Sequence, residues 1–172
     1  MIGGCEAKHI VTVLRKRKGD GINMFDGDGN EFRVRILEID RSGGLPRIKG
    51  EIITRKRRET ETKLKISLFQ SIPKGNKMDF IIQKSTEIGV SEIIPIITER
   101  TIVKLDCKRM KERTLRWQKI AQEAAKQSGR NFIPKVGPIL DFSQALKEFS
   151  ERRTRMGIIA WEMEEKNRLR EV

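Results

Sequence analysis

Lys74 and Lys77 follow an alternating apolar–polar run, Leu64–Ile72, that Pro73 stops; Glu99 and Arg100 follow a second, nearly all-apolar run, Ile93–Ile97. If the two runs are neighbouring parallel strands, all four residues gather at the carboxyl edge of the sheet, where such sheets bind their ligands. Three cations and one carboxylate at that edge suit a substrate carrying phosphate. The intervening segment places Gln83 and Glu87 four apart on one face of a predicted helix, with Lys84 alongside. Gln127 and Arg130 stand around the end of a second predicted helix. Each feature also has a plainer reading. Lys74 and Lys77 fit solvated loop charges, Lys84 and Glu87 an ordinary surface ion pair, and Arg130 a complement to a helix dipole. In an idealised right-handed βαβ unit the end of that second helix falls at the opposite edge of the sheet, so spacing does not join Arg130 to the first set.

Composition narrows the chemistry. The 172 residues hold 37 Lys and Arg against 24 Asp and Glu, a net charge of +13 that points to a polyanionic partner, nucleic acid first. His9 is the single histidine, and Cys5 and Cys107 form no CxxC pair. Metal sites built on His and Cys clusters, and nucleophilic catalysis with an oriented imidazole, are therefore poorly supported, and no metal is expected. There is no signal-peptide apolar region and no run long enough to span a bilayer, so the chain reads as cytoplasmic. With seven Phe, two Trp and no Tyr, a base-stacking platform is not supported; shape and phosphate contacts are expected instead.

The elements that must position these residues fall into two groups. Residues 1–63 predict a small β-rich unit. Ile22–Phe25 and Phe32–Ile39 read as strands around a tight turn in which Gly27 and Gly29 supply positive φ. Another strand is expected over Ile48–Ile53, after the turn Ser42-Gly43-Gly44. Arg55-Lys56-Arg57-Arg58 opens a polar run without periodicity, read as an exposed hairpin or linker leading to a boundary near residue 63. Residues 64–172 then predict an α/β pattern. Asn76 is the expected cap of the first helix, with Asp79 in its first turn and Gly89 at its end. The second helix is expected from Lys111 to Gly129. Ile133–Ile139, Phe142–Phe149 and Met156–Trp161 read as strand, helix and strand. Pro95 inside Ile93–Ile97 calls for an edge or bulged position, because it has no ladder donor.

Several motifs occur together in one order. They are Gln83-Lys84-Ser85-Thr86-Glu87-Ile88-Gly89-Val90, Thr98-Glu99-Arg100 with Val103-Lys104, and Arg116-Trp117, Glu123-Ala124 and Gln127-Ser128-Gly129-Arg130. Near the start stand His9, Val13, Leu14 and Arg15, then Gly19-Asp20 and Phe25-Asp26-Gly27. In this order they resemble the ribosomal RNA small subunit methyltransferase E family, knotted enzymes of the SPOUT class. The resemblance implies a PUA-like β-barrel that helps grip RNA, followed by a SPOUT domain that binds S-adenosylmethionine and dimerises. It implies methylation of N3 of a uridine in small-subunit ribosomal RNA. On that footing Lys84, Glu87 and Arg100 are the expected catalytic residues. Arg15, Arg55, Lys56, Arg57, Arg58, Lys74, Lys77, Gln127 and Arg130 are the expected RNA contacts. The family's Gly-Pro-Glu-Gly-Gly cofactor loop is not matched: Gly137-Pro138 is followed by Ile139 and Leu140. The expectation is a truncated family member with an incomplete cofactor site. A non-catalytic RNA-binding module, or a basic ribosome-associated protein without a site, are the other readings.

Overall fold

The computed structural model describes residues 1–57, 61–99, 101, 106–153 and 156–160. Its first sheet is antiparallel, in the order β1 (Gly21–Phe25), β2 (Asn30–Asp40), β3 (Arg47–Arg57). Gly27 and Gly29 carry φ of 86° and 97°, as the turn between β1 and β2 requires. Asp26 completes that turn, its carboxylate accepting from the Asp28 and Asn30 amides at 2.8 and 3.1 Å. Alternation along the strands turns Ile22, Val34, Ile36 and Ile48 to one face, where they bury Ala7 and Ile10. Those two belong to α1 (Gly4–Lys8) and to the π-helical turn His9–Val13 that continues it. Arg15 ends this helical segment at a φ of 52°.

Arg55, Lys56 and Arg57 are not a linker. They extend β3, opposite Phe32, Glu31 and Asn30 of β2. A ladder is made by backbone groups and tolerates a charged edge, and Arg55 also stacks over the Phe32 ring at 5.6 Å.

The second sheet is parallel: β4 (Ser67–Ser71), β5 (Glu92–Ile97), β6 (Lys135–Val136) and β7 (Leu140–Asp141), with β5 pairing all three others. The two predicted strands thus share one parallel sheet, as their spacing predicts. Pro95 nevertheless lies in the central strand. It falls between the β6 pairings at Glu92 and Ile93 and the β7 pairings at Ile96 and Ile97, at an interruption where no donor is needed. The expected strand over Ile133–Ile139 shrinks to Lys135–Val136 because Pro134 and Pro138 flank it. Residues 156–160 carry no strand, leaving Met156, Ile158 and Ile159 exposed; Trp161 lies outside the described residues.

Three layers result. On one face, α2 (Lys77–Glu87) and α3 (Cys107–Ser128) bury Met78, Ile82, Trp117 and Ala121 against Ile93 and Val136. On the other, α4 (Phe142–Glu151) sets Ala145 against Ile94 and Ile96. Consecutive residues of β5 serve opposite faces, the pattern of a strand covered on both sides. The first turn of α3 begins earlier than its apolar spacing suggests, because the Asp106 carboxylate caps it by accepting from the Arg109 amide at 2.7 Å. Asn76 precedes α2 but makes no side-chain cap bond. Among the described residues, no helix is long and apolar enough to cross a membrane.

Candidate functional site

At the carboxyl edge of the parallel sheet, Lys74 follows β4 and Lys77 opens α2; both are exposed. Glu99, after β5, is exposed too, and Arg100 and Lys104 lie outside the described residues. Between the strand ends sit three hydroxyls that the sequence reading missed. Ser71 Oγ and Thr98 Oγ1 are 3.3 Å apart, Thr98 Oγ1 and Thr101 Oγ1 3.1 Å, and Thr101 Oγ1 accepts from the Thr98 amide at 2.9 Å. The O···O separations exceed the usual 2.7–2.8 Å or so of a hydroxyl pair, so these groups are only loosely committed to one another. The only sequence signal was the three-residue spacing of Thr98 and Thr101.

Lys84 and Glu87 stand elsewhere. Seven residues of helix, about 10 Å along its axis, separate Lys84 from Lys77. Lys84 Nζ donates to Glu87 at 2.7 Å and the Gln83 amide donates to the other carboxylate oxygen at 2.9 Å. Lys84 also lies over the Phe80 ring at 5.9 Å. The Lys84 ammonium, and then the Gln83 amide, hold the Glu87 carboxyl below its ordinary range. A carboxyl shifted in that direction is a poorer proton acceptor at neutral pH.

Arg130 is buried. Its NH1 donates to the carbonyls of Thr86 and Val90 at 2.7 and 3.0 Å, around the end of α2. Nε and NH2 donate to Glu61 at 3.1 and 2.5 Å, in the connector between the two sheets. The guanidinium is thus committed to the interior, and its side chain is only 9% exposed. Gln127, one turn earlier, is exposed and lines a groove of about 640 Å³ between α2 and α3, together with Gln83, Arg116 and Lys119.

The basic end of β3 lies beside the turn between β1 and β2. Arg55 donates to the Asn30 side chain at 3.5 Å, and the neighbouring Gly29 amide donates to the Asn131 carbonyl at 3.0 Å. Arg55, Lys56 and Arg57 are exposed, whereas Arg58 lies outside the described residues. Arg15 is exposed at the end of the first helical segment. Arg130 thus stays apart from the carboxyl-edge set, as spacing left it, while the β1–β2 turn beside Arg55 meets the residues after α3 through Gly29 and Asn131.

The turn making that approach has a pH dependence of known sign. The Asn30 side chain, followed by the Asp28 amide, holds the Asp26 carboxyl below its ordinary range. Its stabilising contribution is complete above the unfolded carboxyl value, about pH 4, and is lost as pH falls through the lower folded value. Hydrogen exchange at the Asp28 and Asn30 amides, corrected for intrinsic rates, is expected to accelerate on acidification. Asp26→Asn should remove that dependence, and equal protection in acid and at neutrality would refute it.

A family model described as an RNA methyltransferase domain matches residues 60–172, and one described as an RNA methyltransferase PUA domain matches residues 2–44. The ribosomal RNA small subunit methyltransferase E of Bacillus subtilis is 36% identical over 150 residues, which are 87% of this chain and 57% of that protein. The protein of that name from Aquifex aeolicus is 32% identical over 158 residues, 82% of this chain and 68% of the relative. A solved structure of the Neisseria gonorrhoeae protein of that name, bound to S-adenosyl methionine, superposes with a TM-score of 0.75 at 38% identity. It covers 86% of this chain and 62% of the other. The chain spans about half the length of several curated relatives that it matches.

Proposed function

The chain belongs to the ribosomal RNA small subunit methyltransferase E family, and from that premise we propose that it acts in methylating N3 of a uridine in small-subunit ribosomal RNA. The observation that carries this reading is the order of the matches, a PUA domain and then an RNA methyltransferase domain, across nearly the whole chain. The +13 charge supports a polyanionic substrate. We place the boundary between the two domains near residue 63, the complete protein in the cytoplasm as a homodimer, and its partner as the small ribosomal subunit.

Methyl transfer to N3 needs that nitrogen deprotonated and held in line with the donor, so position and field carry most of the catalysis. S-adenosylmethionine would supply an electrophilic methyl group. The described residues at the carboxyl edge include the hydroxyls of Ser71, Thr98 and Thr101, the exposed Lys74, Lys77 and Glu99, and the partly buried Ile97 and Leu140; the family's Gly-Pro-Glu-Gly-Gly loop is not among them. We assign Lys74 and Lys77 to RNA phosphates and Arg100 to the charge on the deprotonated uracil. Lys84 and Glu87, paired with each other and about two turns or more along α2, we place outside the reacting centre. Arg15, Arg55, Lys56, Arg57, Arg58 and Gln127 we assign to RNA, and Arg130 to the fold.

The second reading, RNA binding without catalysis, is favoured by the unmatched Gly-Pro-Glu-Gly-Gly loop. Both readings require the basic strand end. Changing Arg55, Lys56, Arg57 and Arg58 to Gln should weaken binding to a small-subunit ribosomal RNA hairpin about 10- to 100-fold. It should also flatten the salt dependence by about 0.7–0.9 per lost phosphate contact. An unchanged slope would remove this run from the interface.

A further inference from the structure

The contacts joining the two sheets converge on one short stretch, residues 126–133. Lys126 pairs with Glu6 of α1 while also holding Glu123. The Asn131 carbonyl accepts from the Gly29 amide, and the Ile133 amide donates to the Gly27 carbonyl at 3.1 Å. A Cβ on Gly27 would come within 2.8 Å of Ile133 Cδ1, so the turn approaches as closely as a glycine backbone permits. Arg130 occupies the middle of this stretch. It holds the connector at Glu61 and the end of α2 at Thr86 and Val90 with one rigid fork. Arg55, which donates to Asn30 next to this turn, and Gln127, near the end of α3, are both exposed.

Resting on the RNA-binding reading, we propose that this seam is a single RNA-binding surface assembled from both sheets. The buried Arg130–Glu61 pair is the latch that keeps its two halves in register. The partner is the phosphate backbone of RNA, because Arg55, Lys56 and Arg57 stand exposed beside the seam, whereas the nearby Glu61 carboxylate is occupied by Arg130. Arg130 and Glu61 act as positioning residues: neither touches the RNA. With the halves in register, one RNA engages both, and the second contact forms at high effective concentration.

Glu61→Gln gives a test in which the sign of the effect decides. Removing a negative charge next to a bound polyanion strengthens binding on electrostatics alone, whereas a loosened latch weakens it. With a small-subunit ribosomal RNA hairpin as probe and the 172-residue chain, affinity is expected to fall about three- to tenfold. The salt slope should stay unchanged, because no cation is lost. Cys5 in α1 and Cys107 at the start of α3 are both exposed, one on each side of the seam. Spin labels on these native thiols report the geometry directly. The distance distribution is expected to be narrow in the parent chain and to broaden in Glu61→Gln. Equal or tighter RNA binding by the variant, or an unbroadened distribution, overturns the latch. A parent chain that does not bind the hairpin at low salt overturns the RNA reading itself, and the distance arm then still reports whether the seam is held.

Discussion

Truncating Trp117 to alanine should cost about 3–5 kcal/mol of stability, a large fraction of what a domain this size possesses. The indole is 3% exposed and sits where α3 crosses α2, against Met78, Ile82 and Ile93. Ala121 and Ala124 line the same side of α3 and are too small to fill the void. Its Nε1 also donates to the Asp79 carboxylate at 3.1 Å, fastening α3 to the first turn of α2. Trp117→Phe separates the two contributions. It keeps most of the buried ring and gives up the hydrogen bond, at about 1 kcal/mol, because Asp79 retains Arg116 as a partner. Denaturant melts of the three chains should therefore show two unequal steps at similar slopes. A Trp117→Ala chain within 1 kcal/mol of the parent would mean that the α2–α3 crossing is not part of the core.

Much of this architecture was legible because it depends on local periodicity. Trp117, Ile120, Ala121, Ala124 and Ala125 repeat at helical spacing, and Gly129, at a φ of 69°, ends α3 where the pattern placed its stop. Leu68 and Phe69 alternate between the two faces of β4 as strand residues do. What escaped depends on partners distant in sequence. Nothing within Arg55-Lys56-Arg57 announces a strand; Asn30, Glu31 and Phe32 make it one. Pro95 argues for an edge or a bulge until the gap between β6 and β7 is known. Residues 156–160 have strand composition but no ladder among the described residues, and composition without a partner does not pair. The candidate site divides the same way. Exposed Lys74 and Lys77 followed from their place after a strand that Pro73 stops, whereas the hydroxyls of Ser71, Thr98 and Thr101 meet only because β4 and β5 end side by side.

Arg130 tests the limit of such reading, since sequence alone allowed it to be an RNA contact or a helix-end charge. Replacing it with methionine, which keeps much of the volume, should destabilise the chain by about 3 kcal/mol. Two carbonyls at the end of α2 lose their forked donor, although Thr86 keeps a second bond from the Gly89 amide at 3.1 Å. Glu61 loses its counter-ion; its side chain is 31% exposed, so water recovers part of that loss. Arg130→Lys should fall between, because one ammonium cannot reach Glu61 and both carbonyls in the plane a guanidinium spans. Glu61→Gln should cost least, about 1 kcal/mol, since it leaves the carbonyl bonds in place. The expected ranking in melting experiments is therefore Met, Lys, then Gln at residue 61, from most to least damaging. A phosphate-binding arginine predicts the reverse balance: near-neutral stability in Arg130→Met, and a salt slope for RNA binding reduced by about one unit. Observing that pair of results would remove Arg130 from the interior of the protein and put it back on the nucleic acid.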